Sequence, residues 1–213
     1  MNFLKTIINI RKELQILGNL NCIGNVDETS IYFEMYNNYT VSKIGEKTVK
    51  VNNFGYEKDT VSVLLFTTAN GKKLPPLIVF KGNPEGTIFK NLQKNQLVEK
   101  NKLFIASQPN SWVTEEIFYD WPDKIRFRIT TIKSATGTSL IYDRAKSHFS
   151  DRINYLFKKN NANYALIPPG QTSYLQPLDV SINKPFKDYI RDKFLEFQLK
   201  NKNIKPPSKE ELL

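Results

Sequence analysis

The most informative stretch of the chain is YALIPPGQTSYLQPLD, residues 164–179, which runs on into NKPFK at residues 183–187. An apolar, strand-like run ends at the Pro-Pro-Gly of residues 168–170, and a polar turn follows. Asp179 then stands just before a long helix with an aromatic stripe. A carboxylate that follows a buried strand and precedes a helix is directed toward one end of a sheet, so the stretch predicts a site around Asp179.

Composition places the chain among globular proteins with one main domain. It has 213 residues, 40% hydrophobic and 12% aromatic. Lys and Arg number 31 against 21 Asp and Glu, so the net charge is +10. This balance favours a polyanionic partner such as nucleic acid, although a genome that favours Lys and Asn would give the same composition. Cys22 is the only cysteine, which excludes an internal disulfide and a cysteine-based zinc cluster.

No apolar run approaches the ~20 residues of a membrane span, so we expect no membrane association. Residues 2–18 form a basic, amphipathic pattern that predicts a helix packed on the domain; a mitochondrial presequence is the alternative. We divide the chain into an N-terminal helix leading into the core (residues 1–20), a core domain (residues 21–200) and a C-terminal tail (residues 201–213).

The first half of the core domain predicts an antiparallel meander of three strands. β-branched and aromatic runs cover residues 22–34, 60–69 and 74–80. Asn70-Gly71, between the second and third runs, is a strong hairpin signal. Residues 81–110 are polar and are interpreted as a loop with one short strand near residues 103–106.

The second half alternates strands and helices. Its elements are predicted in the order helix 112–121, strand 138–142, a helix capped by Ser150, strand 163–167, and a final helix striped by Phe186, Ile190, Phe194 and Phe197. Residues 122–137 are basic and give no clear pattern. Together the two halves predict an α/β fold, a mixed sheet with helices packed against it.

Three carboxylates are the candidates for chemistry: Asp27 in the first strand, Asp143 at the end of a later strand, and Asp179. Brought together they would repel one another unless divalent cations neutralise them. Oxygen ligands suit Mg²⁺ or Mn²⁺, and two ions ~3.5–4 Å apart support phosphoryl transfer. Taken singly, each of these Asp residues is more typical of a turn or a helix cap. Strand alternation directs the neighbouring Glu28 to the opposite face from Asp27.

Four segments carry a family resemblance. They are NVDET at residues 25–29, LPPLIVFKG at residues 74–82, Asp143 with His148 five residues later, and the stretch from residue 167 to residue 187. Together they resemble the DDE superfamily endonuclease domain of pogo and Tigger-like transposases, whose relatives include jerky and centromere protein B-like proteins. The resemblance covers about residues 10–200, and its most specific part is QPLD followed by NKPFK.

The resemblance implies a ribonuclease H-like fold: a mixed five-stranded sheet, with three antiparallel strands and then alternating strand and helix, and helices on both faces. It implies that residues 21–200 are an endonuclease domain in which Asp27, Asp143 and Asp179 are catalytic and hold two Mg²⁺ or Mn²⁺ ions. The expected reaction is phosphodiester hydrolysis and strand transfer on DNA. A nuclear location and a homo-oligomer on DNA are further expectations.

The resemblance also suggests supporting residues. Glu28 and His148 are candidates for positions beside the metal ligands, with a structural His148 at the start of a helix as the alternative. Candidates for contacts to DNA phosphates, each more typical of a solvated surface charge when taken singly, are Lys43, Lys47, Lys50, Lys81, Lys146, Lys184 and Lys187.

Two alternatives to an active transposase domain stay open at this point. Such transposases usually carry N-terminal helix-turn-helix domains, and this chain offers one helix at most before the strand with Asp27. A fragment, a degenerate copy and a domesticated core are therefore open interpretations. The first alternative is an inactive nucleic-acid-binding protein that retains the fold; the second is an unrelated basic protein in which the three acids lie far apart.

Overall fold

The computed structural model describes residues 3–17, 20, 23–36, 41–48, 56, 58–100, 103–121, 138–145, 148, 150–160 and 162–200. Residues 122–137, the tail at 201–213, Lys50 and Lys146 lie outside these ranges. In chain order the elements are α1 (Phe3–Leu17), β1 (Ile23–Tyr32), β2 (Thr60–Thr68), β3 (Leu77–Lys81), α2 (Thr87–Gln93), α3 (Gln96–Lys100), β4 (Phe104–Gln108), α4 (residues 115–121), β5 (Thr138–Asp143), α5 (Asp151–Lys159), β6 (Ala162–Ile167), α6 (Thr172–Leu175), α7 (Pro177–Ser181) and α8 (Asn183–Lys200).

The strands form one mixed sheet in the order β4-β3-β2-β1-β5-β6. The β1-β2 and β2-β3 pairs are antiparallel, which confirms the predicted meander. The β1-β5, β5-β6 and β3-β4 pairs are parallel. Gly71, with φ of 84°, lies in the tight turn after β2, where its missing Cβ permits a left-handed backbone.

Two details differ from the expectation. The described sheet has six strands instead of five, because the short run near residues 103–106 pairs along β3 as a true edge strand. The polar region before it contains α2 and α3, which were expected to be loop. Leu92 and Val98 anchor these short helices by burying their side chains, so two apolar positions outweigh a polar composition.

Strand alternation gives the sheet two different faces. On the face that carries Val26, a core cluster includes Leu64, Phe118, Tyr142 and Ile153, and α4 and α5 supply its helical side chains. The face that carries Ile31 packs against α8 through Phe194. At the other end of this second face, α1 contributes Phe3 and Ile7 to a small cluster with Ile23 and Ala165. Helices therefore cover both faces of the sheet, as expected.

No helix in the described part of the chain is both long enough and apolar enough to cross a membrane.

Candidate carboxylate site

Asp27 lies near the middle of β1, on the face that packs against α8. Its side chain is buried, with 8% exposed. Asn25 and Asp27 point to the same face because they are two residues apart in a strand. A carboxylate buried in the middle of a sheet is unfavourable unless neighbouring groups compensate it, so its surroundings decide its role.

A buried amide pair fixes the chain before α7 against β1. The Asn25 Nδ2 donates to the Gln176 Oε1 at 2.6 Å and to the Ile141 carbonyl at 2.9 Å. In return, the Gln176 Nε2 donates to the Val26 carbonyl at 3.0 Å. The Leu178 backbone N–H donates to the Asn25 Oδ1 at 3.1 Å. These bonds fix the start of α7 on the strand that carries Asp27.

Asp179 lies in the first turn of α7, a short helix that precedes α8. Sequence reasoning placed it directly before the final helix; the structure separates it from that helix by the rest of α7. Pro177 occupies the start of α7, where its missing N–H costs nothing and its fixed φ suits a helix. Gly170, with φ of 75°, makes the left-handed turn after β6 that leads into this segment.

Asn183 joins Asp27 and Asp179. Its Nδ2 donates to the Asp27 Oδ2 at 2.6 Å and to the Asp179 Oδ1 at 2.9 Å. One nitrogen atom is thus within hydrogen-bond distance of both carboxylates. Two acids separated by most of the chain converge on a single point.

Asp143 is the last residue of β5, which runs parallel to β1. Asn25 pairs with Ile141 in that register, and Asp27 and Asp143 each follow two residues later on the same face. The Asp143 Oδ1 lies 2.8 Å from the His148 Nδ1. The imidazole is buried and stacks on Phe118, with ring centroids 4.4 Å apart. The buried His148 thus holds one oxygen of the Asp143 carboxylate, which is itself partly exposed.

The acids differ in electrostatic state. Burial raises the pKa of Asp27 to about 6, hydrogen bonds from Gln176 and Asn183 oppose the rise, and the charges of Asp179 and Asp143 add to it. Burial would also raise the pKa of Asp143, but the hydrogen bond and charge of His148 and two backbone hydrogen bonds hold it below its ordinary value. The charged form is therefore less favourable for Asp27 than for Asp143.

The donor chemistry fits a hard divalent cation, since carboxylate and amide oxygens are the ligands that Mg²⁺ and Mn²⁺ prefer. A cation beside Asp27 would offset the burial and the like charges that raise its pKa. Within the described ranges, however, no group of three His, Cys, Asp or Glu side chains is arranged to hold a metal ion. The Asn183 amide lies between two of the carboxylates.

The other predicted residues lie in different places. Glu28 is half-buried on the face opposite Asp27. Lys43 and Lys47 belong to residues 41–48, all of which are exposed. The Lys81 ammonium lies 3.7 Å from the Asp59 carboxylate.

Two of the predicted lysines follow the site closely in sequence. Lys184 is exposed and Lys187 is half-buried, and both belong to the first turns of α8, directly after Asn183. Of the predicted lysines within the described ranges, these two are closest in sequence to the carboxylates.

Sequence reasoning missed Asn25, Gln176 and Asn183 as functional residues. Asn25 gave a weak signal, since it stands beside Val26 in a predicted strand, and Gln176 was quoted only as part of the QPLD motif. Their hydrogen-bond partners could not be predicted from the sequence, because these bonds join residues more than 150 positions apart. Asn183 was quoted as part of a motif without a role.

Comparison with known families gives a match over most of the chain. The model of the family described as DDE superfamily endonuclease matches residues 58–212, a range that includes Asp143 and Asp179 and begins after Asp27. A human relative, "Pogo transposable element with KRAB domain", is 31% identical over 179 residues, which cover 83% of this chain and 28% of that protein. The chain therefore spans little more than a quarter of that relative. The resemblance to pogo-type proteins is confirmed.

Solved structures show the same architecture. The Mos1 mariner paired end complex with Mn has a TM-score of 0.55 at 11% identity, over 98% of this chain and 55% of that chain. The Mos1 transposase paired-end complex with left transposon end has a TM-score of 0.52, with the same identity and coverage. At this identity the likeness concerns the fold alone, and it confirms the expected ribonuclease H-like fold class.

Proposed function

We propose, for a chain that belongs to the family of DDE superfamily endonucleases, that Asp27, Asp143 and Asp179 hold two Mg²⁺ or Mn²⁺ ions. At this site the protein cleaves or transfers phosphodiester bonds of DNA. The observation that carries the proposal is the convergence of Asp27 and Asp179 on the Asn183 amide. Without it, Asp179 would be no more than an acid in the first turn of a short helix.

Each of the three acids is positioned by a different part of the structure, so we expect each to have a different role in the site. Asp27 is rigid because it lies in the centre of the sheet. Asp143 is oriented by His148. Asp179 is exposed and lies on a short helix, so the site opens to solvent on its side. When bound, two divalent ions supply an activated water or 3′-hydroxyl and stabilise the leaving oxygen. The chain's own part is to position the acids and the DNA.

DNA would approach from the side of α7 and α8. Lys184 and Lys187 follow Asn183 there, and in this proposal they bind backbone phosphates of the DNA. The net charge of +10 supports a polyanionic partner. The similar Mos1 transposase structure is a paired-end complex with left transposon end, and we extend DNA as the partner to this chain. Assembly as a homo-oligomer on DNA and a nuclear location follow from the same proposal.

One observation favours a second candidate function. Among the described residues, no group of three Asp, Glu, His or Cys side chains has a geometry suited to a metal ion. The alternative is therefore an inactive DNA-binding protein with the same fold. Such a protein would bind DNA with a steep salt dependence and would not cleave it.

Nicking of supercoiled DNA distinguishes the two. Wild-type protein with Mg²⁺ or Mn²⁺ is expected to nick the plasmid, and Asp179→Asn is expected to remove the activity because it removes a ligand charge. Asp192→Asn is the matched control, because it makes the same charge change at an exposed position of α8. Equal nicking by Asp179→Asn and the control would contradict the metal-dependent site. Salt-sensitive binding without nicking by the wild type would support the inactive protein.

A further inference from the structure

The two polar atoms of the Asn183 side chain differ in their hydrogen bonding. Asn183 is buried, with 7% exposed. Its Nδ2 carries two hydrogens, and Asp27 and Asp179 accept one each. Its Oδ1 is also buried, and no residue within the described ranges offers it a hydrogen-bond partner. The nitrogen of this amide is therefore saturated while its oxygen has no partner.

A buried amide oxygen without a partner is unfavourable, and most folded proteins avoid it. Rotation of the amide by half a turn would exchange the places of the oxygen and the nitrogen. Without a cation this rotation would be unfavourable, because the oxygen would face two carboxylates. With a cation between the carboxylates, the preference reverses, because an amide oxygen is a ligand for hard divalent ions and an amide N–H is repelled by them.

We infer that Asn183 is a further cation-binding residue of the carboxylate site and has two states. In the cation-free state its Nδ2 holds Asp27 and Asp179 together. When Mg²⁺ or Mn²⁺ is bound, its Oδ1 becomes a ligand. The inference rests on the proposed function and extends it, since the site gains a neutral oxygen donor beside its acids.

Two substitutions separate the roles of the amide. Asn183→Asp retains an oxygen and loses the N–H donors, whereas Asn183→Ala loses both. Binding of Mn²⁺, measured by titration calorimetry without DNA, is expected to be weaker by on the order of tenfold or more in Asn183→Ala. In Asn183→Asp it is expected to equal or exceed that of the wild type. Both variants are expected to melt at a lower temperature in EDTA, because the two carboxylates lose the donor between them.

The control is Asn163→Ala, which removes an exposed amide from β6 and is expected to match the wild type in both measurements. Mn²⁺ binding by Asn183→Ala that is as tight as in the wild type, or tighter, would overturn the inference, since the amide would then only compete with the cation. If Asn183→Ala does not fold, Asn183→Asp decides: binding weaker than that of the wild type would also overturn it. Failure of the wild type itself to bind Mn²⁺ is a separate result, which contradicts the proposed function.

Discussion

The side chain of Asn25 accepts a hydrogen bond from the backbone N–H of Leu178 at 3.1 Å, although 153 positions separate the two residues. Leu178 directly precedes Asp179, and Asn25 lies two residues before Asp27. One neutral amide therefore sets the distance between two acidic positions. The carboxylates are brought together without an ion pair, because buried uncharged groups do the positioning.

The first prediction concerns Gln176, whose side chain is fully buried. Gln176→Leu removes one of the two acceptors of the Asn25 Nδ2 and deprives the buried Val26 carbonyl of its side-chain donor. The free energy of unfolding in urea should fall by about 3 kcal/mol, since unpaired buried polar groups are costly. Gln93→Leu, at an exposed position of α2, should change it by less than about 0.5 kcal/mol. Equal stabilities of the two variants would show that the amide pair does not hold α7 in place.

The second prediction concerns pH in the absence of metal. Because the folded-state pKa of Asp27 is about 6, above its ordinary value of 3.8, its contribution favours folding at low pH and is lost as the pH rises through 6. Relative to Asp27→Asn, the wild type in EDTA should lose about 2 kcal/mol of stability between about pH 4.5 and pH 7.5. Urea unfolding at both pH values measures it. If the stability difference between the wild type and Asp27→Asn does not change with pH, the raised pKa of Asp27 in the folded protein is contradicted.

The third prediction concerns His148. His148→Phe keeps an aromatic ring against Phe118 but removes the group that binds Asp143. DNA nicking should fall on the order of tenfold or more, because residues that orient metal ligands contribute this much to activity or affinity. The pKa of Asp143 should also rise toward its ordinary value, since the interactions with His148 lower it. An unchanged nicking rate would leave His148 as a residue of the core only.

The fourth prediction concerns the lysines at the start of α8. Lys184→Ala and Lys187→Ala should each reduce the slope of log K against log salt for DNA binding by about one, because each removes a phosphate contact. Lys158→Ala, at an exposed position of α5 on the other side of the sheet, should leave the slope unchanged. Fluorescence anisotropy at several salt concentrations measures the slopes. A larger effect of Lys158→Ala would indicate that DNA binds on the α5 side of the sheet, and it would contradict the proposed approach from α7 and α8.

Much of the fold could be predicted from local sequence. The strands of the meander are dense in β-branched residues and are joined by Asn70-Gly71, so their order and direction follow from short-range signals. The helices α2 and α3 could not be predicted in this way. Each is short, and among the described side chains Leu92 and Val98 are the ones that they bury. Leu92 packs in a cluster with residues of β1, β2 and α8, which are distant in sequence.

The candidate site was only partly readable. Asp27, Asp143 and Asp179 could be named because they stand at strand and helix positions and match a motif. Their mutual placement could not be read, because it depends on hydrogen bonds such as the one between Asn25 and Gln176, which are 151 positions apart. Whether the three acids hold cations stays a prediction.

Anomalous diffraction from crystals soaked in Mn²⁺ tests that prediction. Anomalous peaks are expected beside the carboxylates of Asp27, Asp143 and Asp179 in the wild type, and they should be absent from Asp27→Asn crystals. A well-ordered wild-type site without anomalous peaks at saturating Mn²⁺ would contradict the proposed metal-dependent function.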